Sequence, residues 1–265
     1  MGGHFSYIGP RYPYGAKVDT NTGIPDFSFP NPNGAVIASV SDGNGGWFIG
    51  GDFTMVGDSN RSRIAHINAA GQITAMFHDI GCNGVVNALC WNGTYLFAGG
   101  DFSKAGDSIR NRIAQFNNTG QVTAMFRSFG CNGVVRAFYW NGTHLFAGGD
   151  FSFVGDSIRV GIVQFNSSGQ LTSMFNNGGF DGAIYALQSQ GDTLYLGGLF
   201  RNYGQFKKKY GVQVNISDGK PDLNFDEPNG MVFTSIPDGS GGWFIGGDFT
   251  KVGDSLRNRI AQLDS

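Results

Sequence analysis

A glycine pair returns through this chain at an almost constant interval. Its first member stands at Gly2, Gly50, Gly99, Gly148, Gly197 and Gly246, in steps of 48, 49, 49, 49 and 49 residues. The surrounding text returns with it. FAGGDFSKAGDSIRNRIAQFN from Phe97 is matched by FAGGDFSFVGDSIRVGIVQFN from Phe146, FIGGDFTMVGDSNRSRIAHIN from Phe48 and FIGGDFTKVGDSLRNRIAQLD from Phe244. Two divergent copies are LGGLFRNYGQFKKKYGVQVN from Leu196 and GGHFSYIGPRYPYGAKVD from Gly2. A fixed period of about 40–50 residues with strand-like content points to a propeller blade, because one such unit cannot bury both faces and must stack on neighbours.

The stretch from Val85 to Phe126 serves as the template. VVNALCW alternates apolar and polar as a half-buried strand does, and TYLFAGGDF is almost continuously apolar, as a strand covered on both faces requires. Between them Asn92-Gly93 reads as a two-residue hairpin turn with positive φ at both centres. SKAGDSIRN reads as a loop, RIAQFN as a third strand and QVTAMF as a short fourth. The glycine pair removes side chains where a neighbouring blade or strand presses close. The expected fold is therefore all-β, a β-propeller of four-stranded blades of about 49 residues. We expect one domain over residues 1–265, with repeats starting near 1, 35, 85, 134, 183 and 231 and five to six blades, the terminal ones incomplete. The first repeat begins at its second strand and the last stops after its third. We therefore expect both ends to be covered, by flanking residues of a longer protein or by a neighbouring copy donating strands head to tail. The alternative is a self-sufficient five-bladed ring.

The formal net charge of −2 and pI near 6.0 give no basic footprint for nucleic acid, and no apolar run is long enough to span a membrane as a helix. The start MGGHFSYIGP lacks the basic and apolar regions of a signal peptide. Twenty-four phenylalanines supply the core. Cys82, Cys90 and Cys131 are too few and too irregular for a disulfide framework. Cys82 and Cys131 share the phrase GCNGVV, and are read as small semi-buried residues.

The pattern GGDF-x3-GDS-x-R-x-RIA-x2-N, followed by an aromatic residue, resembles the delta-sixty repeat family of β-propellers. Its members occur in large secreted and surface proteins of bacteria, with related forms in fungal cortical-marker proteins. The resemblance implies architecture and an extracellular or cell-surface setting rather than a catalytic activity. The fifth copy departs from it at Leu199, Gln205 and Lys207–Lys209, and the first at His4 and Pro10. Both copies lose the motif aspartates.

Those aspartates are the most tempting chemistry: Asp52, Asp101, Asp150 and Asp248 of GGDF, and Asp58, Asp107, Asp156 and Asp254 of GDS. A ring of carboxylates could hold calcium. The favoured reading is structural, each carboxylate accepting turn amides or pairing with Arg61, Arg110, Arg159 or Arg257, with Arg63, Arg112 and Arg259 in the same supporting role. Asp42-Gly43-Asn44-Gly45 and Asp238-Gly239-Ser240-Gly241 resemble calcium-loop fragments but lack the distal glutamate, and read as turns. His4, His66, His78 and His144 fall at unrelated repeat phases and form no metal ring. Neither a nucleophile elbow, a phosphate loop nor a zinc-protease motif occurs, so no cofactor and no catalytic residue is assigned.

Six N-x-S/T sequons begin at Asn60, Asn92, Asn117, Asn141, Asn166 and Asn215, all in expected turns or strand ends where a glycan could be carried. Trp91 and Trp140 precede two of them and could cover an attached sugar. Lys207, Lys208 and Lys209 read as a solvated loop, or as a contact with an acidic neighbour, whose replacement by serine leaves the melting temperature almost unchanged. The leading expectation is a non-catalytic extracellular propeller. It would serve as a structural or adhesion module of a larger surface or fibre protein, its partners being other domains or copies of itself. The alternative is a carbohydrate-binding, lectin-like propeller.

Overall fold

The computed structural model describes residues 14–264 apart from 20, 27, 79, 128 and 176–178. Gly2, His4 and Pro10 of the first copy, and Ser265, lie outside the described residues. The chain forms two compact units, Met1–Gly130 and Cys131–Ser265. No helix occurs among the described residues.

Every full repeat yields five strands. In the first unit these are β1 (Ala35–Ser41), β2 (Trp47–Asp52), β3 (Met55–Val56), β4 (Ser59–Asn60) and β5 (Ile64–Ile67). They are followed by β6 (Val85–Trp91), β7 (Leu96–Asp101), β8 (Lys104–Ala105), β9 (Ser108–Ile109) and β10 (Ile113–Phe116). The second unit continues with β11 (Val135–Trp140), β12 (Leu145–Gly149), β13 (Phe153–Val154), β14 (Ser157–Ile158) and β15 (Ile162–Phe165). Next come β16 (Ala183–Gln190), β17 (Thr193–Leu199), β18 (Asn202–Tyr203), β19 (Phe206–Lys207) and β20 (Gly211–Asn215). The last repeat holds β21 (Met231–Pro237), β22 (Trp243–Asp248), β23 (Lys251–Val252), β24 (Ser255–Leu256) and β25 (Ile260–Leu263). In each repeat the first, second and fifth strands form an antiparallel three-stranded sheet, and the third and fourth form a separate two-stranded hairpin.

In the second unit the sheet of β17 has a neighbouring sheet on each side, which explains the strand's unbroken apolar text: Leu194, Tyr195 and Leu196 are all buried. The glycine pair does two different jobs. A β-carbon on the first glycine would meet the next repeat: at Gly50 it would lie 2.6 Å from Val86 Cγ1, at Gly148 2.7 Å from Ile184 Cγ2, and at Gly197 2.7 Å from Val232 Cγ1. On the second glycine it would meet main chain of its own sheet. At Gly51 it would lie 2.0 Å from the carbonyl oxygen of Ala35, and at Gly100 equally close to that of Val85. That carbonyl approaches because the first strand carries a β-bulge, a register shift between Val36 and Ala38 and again between Val86 and Ala88.

Three sequence expectations change. The fourth strand is a single bridge, Ile67↔Ile73, Phe116↔Val122, Phe165↔Leu171 or Val214↔Pro221. QVTAMF alternates like a strand, but the Thr123 hydroxyl accepts the Met125 amide at 3.3 Å and turns the chain, and Phe126 then takes φ 61°. SKAGDSIRN is the hairpin of β8 and β9 rather than a loop. The Asn92-Gly93 connection is longer than two residues, since Trp91 pairs with Leu96. Only Gly93 has positive φ there, because Asn92 Oδ1 accepts the amides of Thr94 and Tyr95 and closes an Asx turn.

Aromatic rings fill the interior. In the first unit Phe77 stands edge-on to Phe116 at 5.3 Å, and Trp91 lies 5.1 Å from Phe48. In the second, Phe180 contacts Phe200 and Tyr203, and Tyr195 stacks on Trp243 at 5.6 Å. Phe77, Phe126 and Phe175 all adopt left-handed backbone at the same repeat position, the cost being borne by burial of the ring.

Candidate functional site

The GDS motif and its arginine come first. Asp58, Asp107, Asp156 and Asp254 sit at exposed hairpin tips, and none forms a hydrogen bond or ion pair among the described residues. The arginines expected to pair with them turn inward instead. Arg61, Arg110 and Arg159 are 3%, 4% and 7% exposed, and each spans two main-chain carbonyls. Arg110 donates through Nη1 to Ile109 O at 2.7 Å and through Nη2 to Thr123 O; Arg61 does the same to Asn60 O and Thr74 O, and Arg159 to Ile158 O and Thr172 O. The arginine thus ties the short hairpin to the segment where the fourth strand was expected.

This corrects the reading of the lysine run. Lys208 occupies the arginine position of the fifth copy, is only 4% exposed, and donates through Nζ to Leu223 O at 3.0 Å. Its ammonium also lies 3.5 Å from Glu227. Lys207 and Lys209 are exposed. Replacing Lys208 by serine is therefore expected to lower stability by about 2 kcal/mol, because the Leu223 carbonyl and Glu227 lose a buried charged donor. The double change Lys207→Ser with Lys209→Ser should stay within about 0.5 kcal/mol of the parent. Thermal melts of both variants decide it.

The GGDF aspartates pair across the sheet. Asp52 meets Arg63 at 3.0 Å, Asp101 meets Arg112 at 3.5 Å and Asp248 meets Arg259 at 3.4 Å. In the third full repeat glycine replaces that arginine, at Gly161, and Asp150 takes Arg136 of the adjacent strand with two bonds of 2.8 Å from Nε. Such half-exposed pairs contribute at most about 1 kcal/mol each. The arginine position has a second property: Arg63, Arg112, Tyr210 and Arg259 have φ of 62–68°, and Gly161 has φ 75°. Arg112→Gly is therefore expected to be more stable than Arg112→Ala by about 1 kcal/mol, since only alanine retains the left-handed strain. Urea unfolding of the two variants measures this directly.

Five of the six sequon asparagines close turns. Asn117 Oδ1 accepts the Thr119 amide, the Thr119 hydroxyl and the Gln121 amide, and Asn166 repeats the arrangement with Ser168 and Gln170. Asn141 accepts from Thr143 and His144, and Asn215 from Ser217. Asn60 is exposed in β4. Asn68, which starts no sequon, makes the same bond to the Gln72 amide, so the turn alone gives a reason for asparagine here. Trp91 is half-buried and packs on Phe48.

One recurring site escaped sequence reasoning. Asn33, Asn83, Asn132 and Asn229 each accept two amides from the residues opening the next hairpin. For Asn83 these are Ser103 N at 2.9 Å and Lys104 N at 2.8 Å, and its Nδ2 donates to Ser103 Oγ. The available signal was an Asn-Gly pair recurring 20 to 22 residues ahead of the hairpin amides it holds. In the fifth copy Asp181 takes this place, accepting from Arg201 N and Asn202 N and from Asn202 Nδ2. Burial alone would push its carboxyl up, but these bonds outweigh it and hold the group below the usual carboxylate range. Its contribution to stability is thus complete above about pH 4 and is lost as pH falls through the lowered folded value. Asp181→Asn should match the parent at pH 6 and lose less stability between pH 4 and 2, measured by melts across that range.

Asp42 and Asp238 head Asx turns, as expected of turns. Asp42 Oδ1 accepts Asn44 N and Gly46 N while Oδ2 lies 3.0 Å from His66 Nε2. Asp238 binds Ser240 N, Gly242 N and Gln262 Nε2, which hold its carboxyl down to about 2. Cys82 and Cys131 are buried, and burial pushes the Cys82 thiol up. Among the described residues no three His, Cys, Asp or Glu side chains gather to hold a metal ion. Two cavities stand out. One of about 480 Å³ in the first unit is lined by Ala16, Lys17, Val36, Trp47 and Ile49. One of about 400 Å³ in the second unit is lined by Phe225, Arg257, Gln262, Leu263 and Asp264.

Repeated three-stranded antiparallel sheets, stacked through glycine-lined faces, define an all-β protein of the β-propeller class. The comparisons agree. Residues 96–122 and 237–265 match the family model described as a domain of unknown function (DUF5122) beta-propeller. The chain is similar to the WD40 beta propeller domain of Doa1, with a TM-score of 0.57 and 10% identity over 83% of this chain and 64% of that one. It is also similar to the computationally designed Ika8 protein, with a TM-score of 0.54 and 14% identity over 92% of this chain and 75% of that one. No curated protein matches it.

Proposed function

We propose that the chain is a non-catalytic propeller module with a structural or adhesive role in a larger surface or fibre protein. One observation carries this reading: most of the recurring polar side chains are engaged by their own repeat. The inward arginines hold carbonyls, the Asn83-type residues hold hairpin amides, five of the six sequon asparagines close turns, and Asp52, Asp101 and Asp248 meet arginines that precede the fifth strands. Repetition thus serves the framework. The extracellular setting rests on the resemblance to delta-sixty repeats. Antibody labelling of intact cells of the native host tests it, and a protein reached only after permeabilisation would overturn it. A carbohydrate-binding reading is favoured by Trp47, 42% exposed beside the apolar cavity of the first unit, since an aromatic face at a cavity mouth suits a sugar ring. A glycan array discriminates, with reproducible binding of one sugar class selecting the second reading.

A further inference from the structure

Asparagine is a chemically labile side chain, and most so before glycine. With no β-carbon on the second residue, its main-chain nitrogen stands open to the carbonyl carbon of the asparagine side chain. The Asn-Gly dipeptide occurs eight times in this chain. One copy, Asn177-Gly178, lies outside the described residues. In six of the other seven the carboxamide is tied down. Asn33, Asn83, Asn132 and Asn229 each accept two hairpin amides through Oδ1 and donate through Nδ2 to a serine or threonine hydroxyl. Asn92 accepts the amides of Thr94 and Tyr95, and Asn141 those of Thr143 and His144.

The seventh pair, Asn44-Gly45, differs. Both residues are exposed in the turn between β1 and β2. The Asn44 amide donates to Asp42 Oδ1 at 2.7 Å, but neither its side chain nor the Gly45 amide makes a hydrogen bond among the described residues. The turn itself has no need of asparagine at this place. In the last repeat Ser240 stands there, and Asp238 Oδ1 accepts Ser240 N at 2.8 Å and Gly242 N at 2.9 Å. Asp42 Oδ1 does the same for Asn44 N and Gly46 N. The Asn44 carboxamide is thus spare to the fold, and nothing holds it away from the next nitrogen.

We propose that Asn44-Gly45 is a site of spontaneous deamidation, and that the fold protects the six tied pairs from the same reaction. The Gly45 nitrogen attacks Asn44 Cγ. A bond from that nitrogen to Cγ forms, the bond from Cγ to Nδ2 breaks, and the displaced Gly45 proton leaves with Nδ2 as ammonia. Water then opens the cyclic imide at either carbonyl, giving aspartate, or isoaspartate with one extra carbon in the main chain. Ring closure requires the carboxamide to turn its face towards the following nitrogen, so at the tied pairs at least two hydrogen bonds must break first. Either product adds a negative charge two residues from Asp42, whose Oδ2 lies 3.0 Å from His66 Nε2. Isoaspartate also lengthens a turn that Asp42 closes by donating its amide to Gly46 O at 3.0 Å. The inference is independent of the surface or fibre reading.

The test incubates the folded 265-residue chain in mildly alkaline buffer well below its melting temperature, beside the same chain unfolded in guanidinium chloride. Peptide mapping with fragmentation reads the amide-to-acid mass gain residue by residue. In the folded chain Asn44 should convert at least about tenfold faster than each of the six tied asparagines. In guanidinium chloride the seven should convert at comparable rates, since the bonds that set them apart are gone. Asn44→Ser, which installs the residue of the last repeat, should remove the fast-forming acidic species from the folded chain. A tied asparagine converting as fast as Asn44, an inert Asn44 in the folded chain while the unfolded chain reacts, or the same lead for Asn44 in guanidinium chloride would each overturn the proposal.

Discussion

Gly51→Ala is expected to destabilise the chain by at least about 3 kcal/mol, a fall in melting temperature of roughly 6–12 °C, with no second-site side-chain change restoring it. The added carbon would stand 2.0 Å from Ala35 O and 3.0 Å from Val36 Cα, both main chain, so the strands must part at the bulge. Gly50→Ala, one residue away, behaves differently. Its carbon would strike Val86 Cγ1 at 2.6 Å and Leu89 Cδ1 at 3.2 Å, which are side-chain atoms of the next repeat. A cost of about 2 kcal/mol is expected, partly recovered when Val86→Ala is added, with a favourable coupling of at least about 1 kcal/mol in the double-mutant cycle. Rescue of Gly51→Ala by the same change, or failure to rescue Gly50→Ala, would show that the two glycines have been given the wrong roles.

The second large effect belongs to Arg110. Arg110→Met removes a charged donor from two carbonyls and leaves Thr123 O without its partner beneath a packed surface, for an expected loss of about 3 kcal/mol. Arg110→Lys should cost about half as much, because Lys208 already does this work through a single ammonium in the fifth copy. Denaturant unfolding gives both values. If lysine and methionine are equally damaging, the carbonyl bonds are not the source of the arginine's contribution.

These two predictions also show what kind of information the sequence carries. The period, the strand pairs and the close approach at the glycine pair were legible, because each follows from spacing and from the absence of a β-carbon. The partners of Arg61, Arg110 and Arg159 were not, because a main-chain carbonyl leaves no mark on residue identity. An aspartate three residues before the arginine of each of these repeats made the wrong partner look natural. Lys208 could have been read correctly by laying YGQFKKKY over AGDSIRNR, which sets it in the column of Arg110; its neighbours disguised it as part of a charge run. QVTAMF carries the period of a strand, and only the side-chain turn at Thr123 and the left-handed Phe126 reduce it to one bridge.

The pairing pattern has a kinetic consequence. Every sheet is closed by strands from one repeat, and each arginine reaches a carbonyl only 13 residues further on. An all-β chain with such local pairings avoids much of the loop-closure entropy that slows sandwich folds. A ribosome making about 5–20 residues per second needs several seconds for one repeat, whereas a hairpin forms in about 1–10 μs. Each sheet can therefore be complete before the next has left the exit tunnel, and stacking contacts such as Gly50 on Val86 and Gly148 on Ile184 have to wait for the following repeat.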